Sequence, residues 1–322
     1  MKHFEHSYKE TKLPDWHGRP YYSLDSYLKN EYGEKVYKIA LDAGFTCPNR
    51  DGTLSHGGCV FCSAGGSGEH AVSTDGKTIH EQLEEGLKLF HNKKIGNKFI
   101  AYFQAYTNTY APVSTLRPLY EEALKHEHVV GISIATRPDC LPDEVLELLV
   151  ALKEQYPGKF IWIELGLQTI HEKTAQLIRR GYPLQTFEHA LSKLNACGIP
   201  TIVHVILGLP GESIEEILET ICYLNQAGIW GIKLQLLHVL KDTLLAKWYD
   251  EGIFQVYTLE EYLHILTECI AHLDPNIVIH RVTGDGPKDL LNAPDFSRNK
   301  RLVLNSLHKE LKQKGITQGG HK

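Results

Sequence analysis

The sequence predicts an α/β fold in which six parallel strands curve into a barrel around a polar interior. Strand-like runs alternate with amphipathic helical patterns over much of the chain, as expected for βαβ units. Each run also carries polar residues on one of its two faces. The composition agrees, because 42% hydrophobic and 23% charged residues in a chain of 322 are typical of a globular protein with a large core.

Six strand-like runs are predicted over residues 36–41, 99–105, 129–136, 160–167, 201–209 and 232–240. Helical patterns between them lie near residues 79–94, 114–127, 142–155, 171–197 and 213–228. The fourth of these patterns is expected to break near Gly181. Thr78 with Glu81 and Ser213 with Glu216 form capping-box sequences that mark two helix starts. Right-handed crossovers between such units produce a parallel sheet.

The predicted strands differ from ordinary buried parallel strands, which are apolar on both faces. Alternation places these polar residues on one face of their strands: Lys38, Asp42, Tyr102, Gln104, Tyr106, Ser133, Arg137, Glu164, Gln168, His204, Lys233 and Gln235. Taken singly, each side chain is typical of a buried polar group with satisfied hydrogen bonds. Taken together, they predict a barrel interior that holds a polar ligand, with chemistry at the carboxyl ends of the strands.

Three regions are predicted from these patterns. They are an N-terminal extension at residues 1–34, the barrel at residues 35–240 and a C-terminal elaboration at residues 241–322. Residues 1–30 contain no apolar run long enough for a signal peptide or a membrane span. A cytoplasmic protein without membrane attachment is therefore expected.

The C-terminal elaboration contains a capped helical pattern, a strand-like run and a basic terminal helix. From Arg298 onward, seven Lys or Arg residues stand against a single Glu310, a balance that suits phosphate contacts or a solvated helix face. The net charge of −5 means that the chain as a whole lacks the excess positive charge typical of nucleic-acid-binding proteins. Candidate substrate contacts are His238, His280, Arg281 and Asp285; for Asp285 a simple turn is the favoured interpretation.

Cys47, Cys59 and Cys62 fall within sixteen residues. In a chain without secretory features, thiolates this close favour a metal site over a disulfide. Three cysteines leave one iron of a four-iron cluster open to a small molecule, because four are needed to close it. The alternative is a zinc knuckle whose fourth ligand is His56 or His70.

The cysteine spacing, C-x11-C-x2-C with Phe61 directly before the last cysteine, resembles a lengthened cluster loop of radical S-adenosylmethionine (SAM) enzymes. Segments 104–109, 137–140, 164–169, 208–213 and 280–287 are similar to those of one elongator-like branch of that superfamily, the YtqA/YhcC subgroup. The Gly-Gly-Glu letters common in the superfamily are absent from segment 104–109. The Gly-Asp-Gly-Pro letters at 284–287 are its most specific match.

This resemblance implies a partial (β/α)6 TIM-like barrel with extensions at both ends. It also implies a 4Fe-4S cluster on Cys47, Cys59 and Cys62, with SAM on the remaining iron. The residues that correspond to SAM contacts are Phe61, Tyr106, Thr107, Asn108, Glu164, Gln168, Arg180, Gly208, Pro210 and Gly211. Candidate catalytic residues are Arg137 and Cys140 at the third strand end and His204 and Lys233 inside the barrel.

The resemblance further implies an enzyme that cleaves SAM reductively to a 5′-deoxyadenosyl radical. The branch suggests tRNA as substrate, at the step that converts a carboxymethylaminomethyl group on the wobble uridine to an aminomethyl group. A one-electron donor such as flavodoxin or ferredoxin would be a partner. Two alternatives remain open from the residues: a radical SAM enzyme for a small metabolite or protein, and a zinc-binding scaffold without redox chemistry.

Overall fold

Seven parallel strands form one curved sheet in the computed structural model, which describes residues 13–66, 68, 71, 76–90, 96–284 and 286–321. In spatial order, which is also chain order, they are β1 (Tyr37–Leu41), β2 (Phe99–Phe103), β3 (Val129–Thr136), β4 (Phe160–Gln168), β5 (Thr201–Leu207), β6 (Gly231–Leu236) and β8 (Val278–Arg281). The short strands β7 (Val239–Leu240) and β9 (Leu291–Ala293) pair separately as an antiparallel ribbon. The predicted α/β partial barrel is confirmed, with a seventh strand from the region assigned to the C-terminal elaboration.

Ten helices accompany the strands in the described part of the chain: α1 (Leu24–Tyr32), α2 (Ile79–Lys88), α3 (Val113–Lys125), α4 (Asp143–Gln155), α5 (Glu172–Leu177), α6 (Leu184–Ala196), α7 (Ile214–Gln226), α8 (Leu244–Asp250), α9 (Leu259–His272) and α10 (Lys300–Lys314). The capping boxes predicted at Thr78 and Ser213 both form, and Thr258 forms a third at the start of α9. The predicted break between α5 and α6 contains Gly181 with a φ of 86°, a left-handed conformation that favours glycine. No helix in the described ranges is long and apolar enough to cross a bilayer.

The outer face of the sheet packs against the helices in one continuous apolar core. On β4, Ile161, Ile163 and Leu165 are almost fully buried in this core, and the alternation of the strand directs their neighbours to the opposite face. Burial of each such side chain contributes roughly 1.5–3 kcal/mol. The outer face therefore fixes the curved sheet against the helices, and the side chains of the inner face remain available for function.

The inner face is layered along the barrel axis. Near the starts of the strands, an apolar cluster includes Ile100, Trp162 and Ile202, with Leu28 of α1 packed against them. Two residues further along the same strands, the inner side chains become polar. The apolar cluster therefore closes one end of the barrel and forms a floor beneath the polar residues.

The two terminal segments cover the free edge of β8. The backbone N–H of Ile279 donates to the carbonyl oxygen of Tyr22 at 2.8 Å. Gln318, near the C-terminus, accepts from the Tyr22 N–H at 2.8 Å and donates to the Ile277 carbonyl oxygen at 2.8 Å. An exposed strand edge invites unwanted pairing, and these contacts occupy that edge.

Candidate active site

The barrel contains a cavity of about 260 Å³ at the carboxyl ends of its strands. Cys47, Cys59 and Cys62 all line it, and none of them forms a disulfide. Inner side chains of β2 to β6 and of β8 line the rest, together with Gly284, Gly286 and Pro287. The sequence prediction that the cysteine loop meets the polar interior is thereby realised in the geometry.

The cysteine loop is held in shape by its own backbone and by Arg50. The N–H groups of Arg50 and Asp51 donate to the Cys47 carbonyl oxygen at 2.7 and 3.2 Å. The Arg50 guanidinium reaches across the loop to the Cys62 carbonyl oxygen at 3.0 Å. Gly58 lies at φ 81°, and a Cβ atom there would stand 3.0 Å from the Arg50 Nε atom. Glycine at position 58 therefore lets the arginine close the loop.

The Cys59 thiol is buried beside a hydrogen-bond donor and a guanidinium. Burial raises the pKa of Cys59 to about 12, with the neighbouring Cys62 adding to the effect. The side-chain amide of Asn49 donates to the Cys59 sulfur atom at 3.5 Å. The Arg137 charge opposes the effect of burial and so favours the thiolate, the form that binds metal with release of a proton.

The donor set at the cavity favours an open cluster over a closed zinc site. A structural zinc ion is closed by four protein ligands, whereas three cysteines leave one iron of a four-iron cluster open to a small molecule. Three cysteines line the cavity, and His56 is not among its described lining residues; the His56 ring lies against Gly52 instead. His70, the other candidate zinc ligand, lies outside the described residues.

Each of the seven strands of the sheet contributes one side chain to a polar layer above the apolar floor. The polar layer consists of Lys38, Tyr102, Ser133, Glu164, His204, Lys233 and Arg281. Glu164 is at its centre and is fully buried. Its carboxylate accepts from Lys38 Nζ at 2.7 Å, Ser133 Oγ at 2.6 Å and the Lys233 ammonium, and it bonds His204 Nε2 at 2.8 Å.

The charges of the polar layer follow from this pairing. Burial alone would raise the pKa of Glu164, but Lys233 and Lys38 hold it well below its usual range. Burial lowers the pKa of Lys233 to about 7, and Glu164 opposes the shift. Burial and the Lys233 charge lower the pKa of His204 to about 4, so its imidazole is neutral at pH 7. Lys233 is therefore the group of this layer that is poised to exchange a proton near neutral pH.

Several residues predicted to contact SAM surround the upper part of the cavity. Phe61, Tyr106, Thr107 and Gln168 all line it. Tyr106 and Gln168 have positive φ values of 58° and 69°, strained conformations that cluster at functional sites. The Gln168 Oε1 atom is buried without a hydrogen-bond partner. An unsatisfied buried acceptor facing a cavity fits a ligand that donates a hydrogen bond there.

Two predicted site arginines are engaged with the protein itself. Arg180 is only 2% exposed, and its guanidinium donates to the carbonyl oxygens of Leu167, Thr169 and Tyr182 and to Glu172. Its hydrogen bonds hold the end of β4, so Arg180 is placed to position Gln168. Its positive charge can also act on a ligand in the cavity without a direct contact.

Arg137 is engaged in a similar way. It donates through Nε and Nη2 to Asp139 and through Nη1 to the Arg180 carbonyl oxygen. Its guanidinium also lies 4.9 Å from the Tyr182 ring centroid. Arg137 lines the cavity and joins the end of β3 to the loop between α5 and α6.

Other predicted site residues are not among those that line the cavity. These are Asn108, Cys140, Gly208, Pro210 and Gly211. The Asn108 amide donates to the carbonyl oxygens of Phe103, Ala105 and Ala135 and so ties the ends of β2 and β3 together. The Cys140 thiol lies 3.7 Å from an Asp139 oxygen, and burial raises its pKa to about 12. Asn108 therefore supports the wall of the cavity from behind the lining residues.

The candidate substrate contacts near the C-terminus also divide into residues that line the cavity and residues that do not. His238 and Arg281 line the cavity, whereas His280 packs against Trp162 and Trp230 in ring contacts of 5.5 and 5.0 Å. Asp285 lies outside the described residues. Sequence reasoning missed Asn49 and Arg50, which support the cysteine loop; their position directly after Cys47-Pro48 was the available signal.

Comparison with known proteins agrees with this geometry. The family model of the Radical SAM superfamily matches residues 47–224, more than half of the chain. The chain belongs to the radical SAM superfamily. The superfamily's cofactors, a 4Fe-4S cluster and SAM, are therefore those of this SAM-dependent enzyme. A model of the Radical SAM C-terminal domain matches residues 229–313, a span that includes β6, β8 and almost all of α10.

Two relatives match nearly the whole chain, and a third matches part of it. YtqA of Bacillus subtilis is 44% identical over 93% of this chain and 92% of its own length. YhcC of Escherichia coli K12 is 38% identical over 90% of this chain and 91% of its own. A tRNA uridine(34) acetyltransferase of Dehalococcoides mccartyi is 26% identical, over 60% of this chain and 42% of its own.

The fold is shared with a solved structure. Elp3 of Methanocaldococcus infernus superposes with a TM-score of 0.63 at 18% identity, over 88% of this chain and 64% of that one. At this identity the likeness concerns the fold alone.

Proposed function

We propose that this radical SAM enzyme modifies the wobble uridine of tRNA, at the step that converts a 5-carboxymethylaminomethyl side chain to the aminomethyl form. The observation that carries the proposal is the charge of the cavity. Arg50, Arg137, Arg180, Lys233 and Arg281 line it, and Glu164 is the one carboxylate among the described lining residues. A cationic, largely buried cavity favours anionic groups, and the proposed substrate side chain ends in a carboxylate.

The cations are distributed at two depths, which suits two anionic ligands. The upper arginines Arg50, Arg137 and Arg180 lie beside the cysteine loop or the end of β4, where the cluster and the SAM carboxylate belong. Lys233 and Arg281 lie on adjacent strands in paired register, in the polar layer below. We assign these two residues to the carboxylate of the substrate side chain.

The bound cofactors supply the radical chemistry, namely reductive cleavage of SAM and abstraction of hydrogen from an unactivated carbon. The protein's own residues position the reactants and exclude water. The Gln168 side chain offers SAM a hydrogen-bond acceptor, and the Phe61 ring offers it an aromatic face for contact. Lys233, whose pKa is lowered to about 7, can donate or accept a proton near neutral pH.

A macromolecular substrate is supported by the surface near the cavity. Helix α10 begins close to it, because Arg298, just before the helix, donates to the carbonyl oxygens of Lys288 and Leu291, adjacent to lining residue Pro287. Lys300 and Arg301 in the first turn of α10 are exposed. The names of the tRNA uridine(34) acetyltransferase relatives point to the same nucleoside. A flavodoxin or ferredoxin is the proposed electron donor.

The decisive experiment compares wobble nucleosides by mass spectrometry in cells with and without the gene. We expect carboxymethylaminomethyl uridine to accumulate without it, and the gene to restore the aminomethyl form. Cys62→Ala should fail to restore it. An unchanged nucleoside profile, together with release of 5′-deoxyadenosine from SAM by the purified enzyme, would favour a small metabolite or protein substrate.

Binding of tRNA can be tested on a single helix. Arg301→Ala should weaken binding and reduce its salt dependence, because one phosphate contact is lost. Lys312→Ala is a matched control: it is also exposed but lies eleven residues further along α10, about 16 Å away. Equal effects of the two substitutions would contradict docking at the cavity end of the helix.

A further inference from the structure

A second cluster of metal-ligating side chains lies outside the cavity. Glu268 and His272 stand one turn apart on α9, and His321 reaches them from the C-terminal segment. One ligand atom from each of the three residues lies within 4.8 Å of the others. We propose that this trio binds a divalent transition-metal ion, Zn²⁺ by preference, independently of the iron–sulfur cluster.

The donor set suits zinc. Two imidazoles and one carboxylate are an established zinc ligand set, with a fourth position left for water. Imidazole nitrogen also selects for late first-row metals over Ca²⁺ and Mg²⁺, which prefer oxygen ligands. The His321 Nδ1 and Glu268 Oε2 atoms are 3.7 Å apart, a separation that an ion between them can bridge with little movement.

The orientation of His272 is already that of a metal ligand. Its Nδ1–H donates to the carbonyl oxygen of Glu268 at 2.9 Å. This bond fixes the tautomer and leaves the lone pair on Nε2, the arrangement in which metal-bound histidines usually occur. The rings of His272 and His321 meet edge to face with centroids 5.2 Å apart, so neither ring blocks the other.

The backbone holds His321 in place. The His321 N–H donates to the Ala271 carbonyl oxygen at 3.0 Å, and the Gly319 N–H donates to the Ile270 carbonyl oxygen at 3.3 Å. The C-terminal segment therefore lies along the last turn of α9. A helix C-terminus carries partial negative charge and favours cations, which adds to the attraction of the Glu268 carboxylate.

The location indicates a structural role. Helix α9 ends before β8 begins, so the site lies at the starts of the strands, at the end of the barrel opposite the cavity. A metal there would clamp the C-terminal segment, including Gln318, onto the body of the protein. SAM cleavage should consequently be unaffected by loss of this site.

The test is a Zn²⁺ titration of the anaerobic, cluster-loaded enzyme by calorimetry, with the cluster absorbance followed to show that the cysteines stay occupied. Wild-type enzyme should bind one equivalent. His321→Ala and Glu268→Gln should weaken zinc binding by more than the roughly 10- to 100-fold that loss of a hydrogen-bond partner of a metal ligand costs. His264→Ala, an exposed histidine on the same helix, should bind zinc as the wild type does.

Two further readouts separate binding from folding. Zn²⁺ should raise the melting temperature of the wild type, as a ligand of the native state does, and fail to raise that of His321→Ala. Co²⁺ at the same site should give visible d–d bands without a thiolate charge-transfer band. The proposal is overturned if wild type binds no zinc, if His321→Ala binds it as tightly as wild type, or if the cobalt spectrum shows thiolate ligation.

Discussion

Glu164→Gln should destabilise the protein by about 3 kcal/mol, because Lys233 and Lys38 both lose the buried carboxylate to which they donate. Loss of one partner from a buried ion pair costs roughly 3–5 kcal/mol. Lys233 has only 4% of its side chain exposed, whereas Lys38 has 20%. Water can therefore solvate the Lys38 ammonium group in part, so the expected loss of stability lies at the lower end of that range.

Urea unfolding followed by circular dichroism measures this loss. With a slope of about 3 kcal/mol per molar urea, the midpoint should fall by about 1 M. The double variant Glu164→Gln/Lys233→Met removes the most deeply buried unpaired charge and should recover at least about 1 kcal/mol, because residues in contact do not act additively. A Glu164→Gln midpoint within about 0.2 M of the wild type would refute the assignment of Glu164 as the centre of the polar layer.

Three further outcomes are expected. Gly181→Ala should weaken cluster retention, measured by iron content, because a Cβ atom at φ 86° would lie 2.5 Å from the Asn49 side chain that contacts Cys59; an unchanged iron content would contradict this. Burial raises the pKa of Glu212 to about 7, so the folded state holds a proton that the unfolded state releases, and stability falls as pH rises from about 4.5 to 7. Glu212→Gln should remove that slope and gain on the order of 2 kcal/mol at pH 8, measured by urea unfolding at several pH values. Cys62→Ala should abolish the cluster absorbance and SAM cleavage together, and retention of either would exclude the proposed ligand set.

The fold was predictable because its signals are local. Apolar periodicity and the capping boxes at Thr78 and Ser213 are set by residues a few positions apart. The seventh strand was assigned to a separate elaboration because its pairing is not local. Ile279 pairs with Ile232, 47 positions earlier, and no short-range pattern identifies that partner.

The site was predictable where strand alternation decides it. Alternation alone places Glu164, His204 and Lys233 on the inner face, and the structure brings them together. The sequence did not reveal the hydrogen bonds of Arg180, because their acceptors include backbone carbonyl oxygens of Leu167 and Thr169 at the irregular end of β4 and of Tyr182 in the loop between α5 and α6. Side-chain directions in a loop follow no regular alternation, so the sequence did not indicate that Asn49 supports the cysteines.

The sheet ends in two rims, β1 and β8, that are not neighbours in its hydrogen-bonding order. A fully closed barrel has no free strand edge, whereas an open sheet must protect its edges from pairing with other chains. At β8 this protection comes from the Tyr22 carbonyl oxygen and the Gln318 side chain. The two terminal segments therefore act as part of the barrel wall, and removing either of them would expose backbone groups of the last strand.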